Sequence, residues 1–188
     1  MSPADAFDPL RSALEKSGVR YAVGGSWAST AFGEPRFTNN VDILADLNEK
    51  NLDAFLRSLP QAFYVDAQEA LEAIRRGRPF NVIHMPTVLK FDLFPASAFP
   101  LGTQELNRAV SLEDSGLSKG PAWFVTPEDI LLAKLYWLRL GGEVSAVQWR
   151  DIKGVVRACA ATLDHEYLEQ SAATLGIRDL LNTALAEA

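Results

Sequence analysis

Short apolar runs of strand length occur through the first two-thirds of the chain, separated by polar turns. They cover 19–23, about 40–47, 80–85, 89–94 and 123–125, with a further strand near 108–112. In the second run, residues 40, 42 and 44 share one face, because successive side chains of a strand point to opposite sides. A turn around Pro86-Thr87 joins the third and fourth runs as a hairpin. The pattern predicts a mixed β-sheet.

Apolar residues repeat at helical spacing between these runs and throughout the C-terminal third. The predicted helices cover 5–17, a short segment after residue 26, 48–59, 67–76, 127–140, a segment starting at Ser145, a segment from Asp164 to Gly176, and 177–186. Thr126 followed by Pro127 is a strong helix start, and Ser145-x-x-Gln148 is a capping box. The expected fold class is α/β (α+β): a core over 1–125 with a mixed sheet flanked by helices, then a helical C-terminal subdomain over 126–188.

Composition narrows the class of protein further. About half of the 188 residues are apolar, and no apolar run reaches the roughly 18 residues that a membrane span needs. The N-terminus lacks a secretory signal, so we expect a cytoplasmic protein. One cysteine and two histidines exclude an internal disulfide and argue against a metal cluster built from those residues. The net charge of −6 argues against broad, non-specific nucleic-acid binding.

The turn Gly24-Gly25-Ser26 follows the first strand and opens the short helix. Glycine lets the backbone turn sharply there and lets a ligand approach closely. The N-terminus of the next helix offers unpaired N–H groups and the positive end of a dipole, which suit a phosphate group. Asn40 and Asp42 project side by side from the following strand. Such an oxygen-rich pair beside a phosphate-type turn predicts a site for Mg²⁺ and a nucleoside triphosphate (NTP).

The turn and the segment that follows it carry a family resemblance. Gly24-Gly25-Ser26 and then PRFTNNVD over 35–42 resemble the nucleotidyltransferase superfamily, whose best-known member is DNA polymerase β. Within it, the chain is most similar to the small bacterial branch of AbiEii-type toxins and minimal nucleotidyltransferases. The resemblance implies a nucleotidyltransferase-type sheet, and it implies that Gly24, Gly25, Ser26, Arg36 and Thr38 bind the nucleotide. The alternative for Arg36 is an ordinary surface arginine.

Asn40 departs from the family pattern, because it stands where the first motif aspartate would be. The resemblance implies two Mg²⁺ ions held by Asn40, Asp42 and Asp92, and an asparagine would supply an oxygen but no charge. Two interpretations follow: the metal site is weakened or altered, or the protein binds nucleotide without turning it over.

Asp92 alternates with apolar neighbours in the predicted strand 89–94, so its side chain points away from Phe91 and Leu93. One interpretation is an ordinary solvent-facing strand residue. The resemblance implies another, in which this third carboxylate of the superfamily is the general base that activates the attacking hydroxyl.

Lys134 lies in the middle of an apolar helix, where a lysine is seldom buried without a partner. Its partner could be a triphosphate or a structural acid, and Asp151 on the next helix is the obvious acid. The resemblance implies that Lys134 contacts the triphosphate with support from Asp151. The alternative is a buried structural ion pair.

The resemblance implies transfer of a nucleoside monophosphate from an NTP to a hydroxyl group of RNA or protein, and a possible toxin–antitoxin role with a cognate partner. The alternative is a catalytically weak or inactive nucleotide-binding protein, or an antitoxin-like partner, and Asn40 is the residue that distinguishes the two.

Overall fold

A computed structural model describes residues 2–35, 38–142 and 145–188. The strands are β1 (Tyr21–Val23), β2 (Asn40–Ala45), β3 (Phe63–Tyr64), β4 (Phe80–His84), β5 (Leu89–Pro95), β6 (Val110–Leu112) and β7 (Ala122–Phe124). These described strands form one sheet in the order β3-β4-β5-β2-β1-β7-β6. β2 is parallel to β5 and β1 is parallel to β7, whereas the other neighbouring pairs are antiparallel.

Helices flank this sheet and make up most of the C-terminal third. They are α1 (Pro3–Lys16), α2 (Gly25–Phe32), α3 (Leu52–Ser58), α4 (Ala67–Arg75), α5 (Gly102–Arg108), α6 (Pro127–Leu140), α7 (Ala146–Cys159), α8 (His165–Leu175) and α9 (Arg178–Glu187), with a short 3₁₀ helix over Ala96–Ala98. The predicted α/β class, a mixed sheet flanked by helices, is confirmed. Within the described residues, no helix combines the length and the apolar character needed to cross a membrane.

The two faces of the central strands differ in chemistry. One face of β2 and β5 is wholly apolar and buried, with Val41, Ile43, Phe91 and Leu93 completely inaccessible. Phe7 of α1 packs on this face, its ring centroid 6.4 Å from that of Phe91. The alternation of the two strands therefore leaves their polar residues on the opposite face, towards α2.

The C-terminal helices share one hydrophobic core with the sheet. Thr126 caps α6 by accepting the Asp129 N–H, and Pro127 occupies the first turn, as the sequence predicts. Buried residues of α6 and α7 such as Leu131 and Val155 extend the core from the sheet into the helices. The division of the chain at residue 125 stays a prediction.

One local prediction was wrong, and another is confirmed only in part. Asn48 does not cap α3, which begins at Leu52 with Asn51 as its N-cap. The Asn48 side chain instead accepts the Lys50 N–H, a local bond that makes a turn before the helix. The capping box at α7 is half formed: Ser145 accepts the Gln148 N–H, but Oε1 of Gln148 has no hydrogen-bond partner in the described part of the chain.

Candidate active site

The parallel pairing of β2 with β5 places Asp42 directly beside Asp92. In the same register, Asn40 faces Lys90 and Leu44 faces Phe94. Residues paired in this way project from the same face of the sheet, so the two carboxylates lie together on the polar face. The two aspartates that the resemblance assigns to one metal site are therefore neighbours, and their roles stay predictions.

The Gly24-Gly25-Ser26 turn packs against Asp42 through its backbone. The Gly24 N–H donates to the Asp42 carbonyl over 2.9 Å, and the Ser26 N–H donates to the Asp42 carboxylate. A Cβ at Gly25 would lie only 1.8 Å from Oδ2 of Asp42, and Gly25 has a φ of +52°. Position 25 therefore requires glycine both for its backbone conformation and for the close approach of the carboxylate.

The surroundings of Asp42 disfavour its negative charge. Burial raises the pKa of the Asp42 carboxyl, and the nearby Asp92 charge raises it further. The Ser26 N–H and the ammonium groups of Lys134 and Lys90 act in the opposite direction but do not cancel these effects. A cation bound at this position would therefore be attracted by two carboxylates whose mutual repulsion it relieves.

Asp92 is held by two donors from its own face of the sheet. Nδ2 of Asn40 donates to Oδ2 of Asp92 over 2.9 Å, and Nζ of Lys90 lies 3.0 Å from Oδ1. The amide of Asn40 is thus oriented with its nitrogen towards Asp92, which leaves its oxygen as the atom able to bind a metal. An aspartate at position 40 could not donate this hydrogen bond when ionised.

Lys134 and Asp151 form a buried ion pair, with 3.0 Å between Nζ and Oδ2. Their side chains are 10% and 5% exposed, so neither charge is well solvated by water. Lys134 also lines the cavity that Asp42 lines and lies close enough to Asp42 to lower the pKa of its carboxyl. Both partners proposed for this lysine, an acid and the nucleotide site, are therefore within its reach.

A cavity of about 400 Å³ opens on the polar face of the sheet. Its walls come from the turn after β1, from β2 and β5, from the segment 99–105 and from α6 and α7. The residues that line it are Gly24, Gly25, Ser26, Asp42, Leu44, Phe94, Phe99, Glu105, Val125, Ile130, Ala133, Lys134, Trp137 and Gln148. Its size matches that of ordinary small-ligand sites.

Four predicted site residues that the structure describes do not line this cavity: Thr38, Asn40, Asp92 and Asp151. The hydroxyl of Thr38 donates to the backbone carbonyl of Asn40 over 3.2 Å and thereby supports the entry to β2. Arg36 lies outside the described residues, so its predicted contact with phosphate stays a prediction.

Sequence reasoning missed Lys90, Glu105 and Gln148. Lys90 had a usable signal, because it is two residues before Asp92 on the same strand and must share its face. Glu105 had none, since a glutamate in a short helix between glycines is typical of a surface. It is 4% exposed and lines the cavity.

The described residues contain no group of three or more His, Cys, Asp or Glu side chains arranged to hold a metal ion. The oxygens at hand are the carboxylates of Asp42 and Asp92 and the amide oxygen of Asn40. Mg²⁺ commonly binds through one or two carboxylates together with phosphate oxygens of a substrate. The donor set therefore fits Mg²⁺ delivered with a nucleotide better than a site made by the protein alone.

Comparisons with known proteins agree on the fold. No family model matches the chain, and a sequence comparison with curated proteins found no match. Among solved structures, an antigenic nucleotidyltransferase-like protein from Paracoccidioides brasiliensis has a TM-score of 0.59 and 17% identity, with 98% of this chain and 92% of that chain covered.

The antibiotic-resistance factor ANT(2″)-Ia is also similar. Its complex with adenylyl-2″-tobramycin has a TM-score of 0.54 and 17% identity, with 93% of this chain and 97% of that chain covered. Its solution structure has a TM-score of 0.52 and 16% identity, with 98% and 93% covered. The narrower resemblance to AbiEii-type toxins stays a prediction. The chain has the fold of these nucleotidyltransferase-like proteins.

Proposed function

We propose that this protein is a nucleotidyltransferase that moves a nucleoside monophosphate from an NTP to a hydroxyl group. The observation that carries the proposal is the position of Asp42: beside Asp92, against the Gly24-Gly25-Ser26 turn, and in one cavity with Lys134. Paired carboxylates, a glycine turn opening a helix and a buried cation are the parts that phosphate transfer from a nucleotide requires.

The triphosphate binds between the glycine turn and Lys134 in this proposal. The positive end of the α2 dipole, which lies at this turn, favours anionic oxygens. The Lys134 ammonium supplies a full positive charge in surroundings that screen it poorly, so its attraction for phosphate is strong. Asp151 holds the lysine in place before the nucleotide arrives.

Asp92 acts as the general base. An acceptor hydroxyl hydrogen-bonded to Asp92 gives its proton to that carboxylate, and its oxygen forms a bond to the α-phosphorus. The bond between the α-phosphorus and the oxygen that bridges to the β-phosphate breaks, and pyrophosphate leaves with that electron pair. Asn40 and Lys90 orient the carboxylate for this step through their contacts with its two oxygens.

Mg²⁺, as two ions in the arrangement we propose, would be held by Asp42, Asp92 and the amide oxygen of Asn40. When bound, it neutralises charge on the triphosphate and on the leaving pyrophosphate. The repulsion between the carboxylates of Asp42 and Asp92 favours a cation bound between them.

The proposed acceptor is a hydroxyl group of RNA or of a protein side chain. We also propose a toxin–antitoxin role in which the protein acts with a cognate partner. The structure of ANT(2″)-Ia with adenylyl-2″-tobramycin adds the hydroxyl of a small molecule as a third class of acceptor.

The second candidate function is nucleotide binding without transfer. Asn40 favours it, because a neutral ligand replaces a charged one.

The test is transfer of label from each of the four NTPs carrying ³²P at the α-phosphate, with MgCl₂ and with RNA, protein or aminoglycosides as acceptors. We expect one acceptor class to become labelled, with release of pyrophosphate. The same NTP labelled at the γ-phosphate is the control and must leave the acceptor unlabelled, since that phosphate departs with pyrophosphate. Nucleotide binding without labelling of any acceptor would favour the second candidate.

Changing Asn40 to Asp should lower the stability of the metal-free protein and increase its response to Mg²⁺ with NTP. The new carboxylate replaces a donor 2.9 Å from Oδ2 of Asp92, so it repels that group. A repulsion of about 1 kcal/mol lowers the melting temperature of a chain of this size by about 2–4 °C. Charged ligands bind Mg²⁺ more strongly, so adding Mg²⁺ and NTP should raise the melting temperature more than in the wild type.

Thermal unfolding with and without Mg²⁺ and NTP measures both effects. Asn39→Asp is the matched control, because it adds the same charge one residue earlier at an exposed position. Increased labelling by Asn40→Asp would identify the wild type as a weakened enzyme. Equal Mg²⁺ affinities of Asn40→Asp and wild type would show that position 40 does not face the metal.

A further inference from the structure

The residues that line the cavity fall into two groups of different chemistry. One group is polar: the glycine turn, Asp42 and Lys134. The other is largely apolar and includes Leu44, Phe94, Phe99, Ile130 and Trp137. Leu44 and Phe94 each lie two residues beyond the paired aspartates, so the apolar part begins roughly 7 Å further along the strands. A ligand anchored at the aspartates therefore meets apolar and aromatic walls on that side.

Glu105 is the exception among these apolar walls. It is 4% exposed, lines the cavity, and its Oε1 has no hydrogen-bond partner among the described residues. Burial raises the pKa of the Glu105 carboxyl well above its ordinary value, and the charge of Asp129 adds to the effect. Burial therefore favours the neutral form of this carboxyl group, which offers one donor and one acceptor.

Such a group is unfavourable for the protein alone. A buried polar atom without a partner destabilises the folded state, and an apolar side chain of similar volume would pack in the same place without that cost. Gln148 lines the same cavity, and its Oε1 is likewise buried without a partner in the described residues. Both oxygens belong to side chains that line one cavity, so a ligand bound there would supply the missing hydrogen bonds.

We propose that the apolar part of this cavity binds the nucleobase of the NTP and that Glu105 recognises its hydrogen-bonding edge; this rests on the function proposed above. The aromatic side chains of Phe94, Phe99 and Trp137 suit a flat ring, since bases stack on aromatic side chains in protein sites. All four bases carry a donor beside an acceptor on the Watson–Crick edge. A neutral carboxyl group matches such an edge with two hydrogen bonds.

The test compares binding of the four NTPs and of inorganic tripolyphosphate, which has no base, by calorimetry with MgCl₂. For the wild type we expect one or more NTPs to bind more tightly than tripolyphosphate. Glu105→Leu should weaken binding of the preferred NTP by about tenfold or more, because the buried base edge loses its partners, and should leave tripolyphosphate binding unchanged. Glu105→Gln keeps a donor and an acceptor, so the preferred NTP should remain the same.

The controls separate this inference from the proposed function. Gln104→Leu makes the same kind of change at an exposed position of α5 and should alter neither affinity. Wild-type protein that binds neither tripolyphosphate nor any NTP would overturn both proposals. Tight NTP binding that Glu105→Leu leaves intact would overturn only the role of Glu105. If Glu105→Leu does not fold, the wild type is titrated with ATP and with the triphosphate of purine riboside, which lacks the 6-amino donor. If ATP is the preferred NTP and the two compounds bind with equal affinity, the role of Glu105 is overturned as well.

Discussion

Replacing Asp42 with Asn should abolish nucleotidyl transfer while making the metal-free protein more stable at neutral pH. Asparagine keeps the shape of the side chain and an oxygen that can accept the Ser26 N–H, so the turn is retained. It removes one of the two carboxylates proposed to hold Mg²⁺. Since that interaction supplies several kcal/mol in the transition state, the rate should fall by at least about a thousandfold.

The gain in stability follows from the pKa of Asp42. Burial and Asp92 raise this pKa in the folded state, so the folded protein binds the proton more tightly than the unfolded chain does. The contribution of Asp42 to wild-type stability is therefore greatest below the unfolded pKa of about 4 and is lost as the pH rises through the folded pKa. The asparagine side chain of the variant does not titrate, so the variant should melt above the wild type at pH 7, and the difference should shrink as the pH falls towards about 4.

Labelling assays and thermal unfolding between about pH 4 and pH 8 measure the two effects. Asp46→Asn is the matched control, because Asp46 follows the same strand but is half exposed and paired with Arg20. Its transfer activity should equal that of the wild type. An Asp42→Asn variant that still transfers label at saturating Mg²⁺ would remove Asp42 from the metal site, and with it the proposed placement of the active site.

The sequence predicts most of the fold because its signals are local. Alternation in β2 and β5 assigns Asp42 and Asp92 each to a polar face, and the capping residue Thr126 marks the start of α6. The pairing of β2 with β5 joins segments that are far apart in the sequence. The sequence alone predicts only that the polar faces of two paired strands lie on the same side of the sheet. The family resemblance supplied the step from two separate aspartates to one site.

The part of the site that could not be predicted depends on tertiary packing. Glu105 becomes a cavity residue only because α5 packs against β1 and β2, and nothing within residues 96–120 signals that contact. Gln148 matches a local capping pattern, but its side chain lines the cavity instead of completing the cap. The two-residue strand β3 is too short to leave a periodic pattern.

Replacing Lys134 with Met should weaken NTP binding and destabilise the fold together. Methionine keeps the apolar stem but removes the ammonium group that lies 3.0 Å from Asp151. Breaking a buried ion pair by removing one partner costs about 3–5 kcal/mol, because the remaining charge stays buried. Loss of the charge facing the cavity should also lower the affinity for tripolyphosphate and for NTPs alike by about tenfold or more.

A double variant separates the structural role of Lys134 from its role in binding. Lys134→Met combined with Asp151→Asn removes both charges, so most of the lost stability should return, since neutral replacements of a buried pair are tolerated. Affinity for phosphate should not return, because nothing replaces the ammonium group. Tripolyphosphate is the informative probe: its binding depends on Lys134 and is expected to be independent of Glu105. If the double variant regains stability and binds tripolyphosphate as tightly as the wild type, Lys134 has only a structural role in the pair with Asp151.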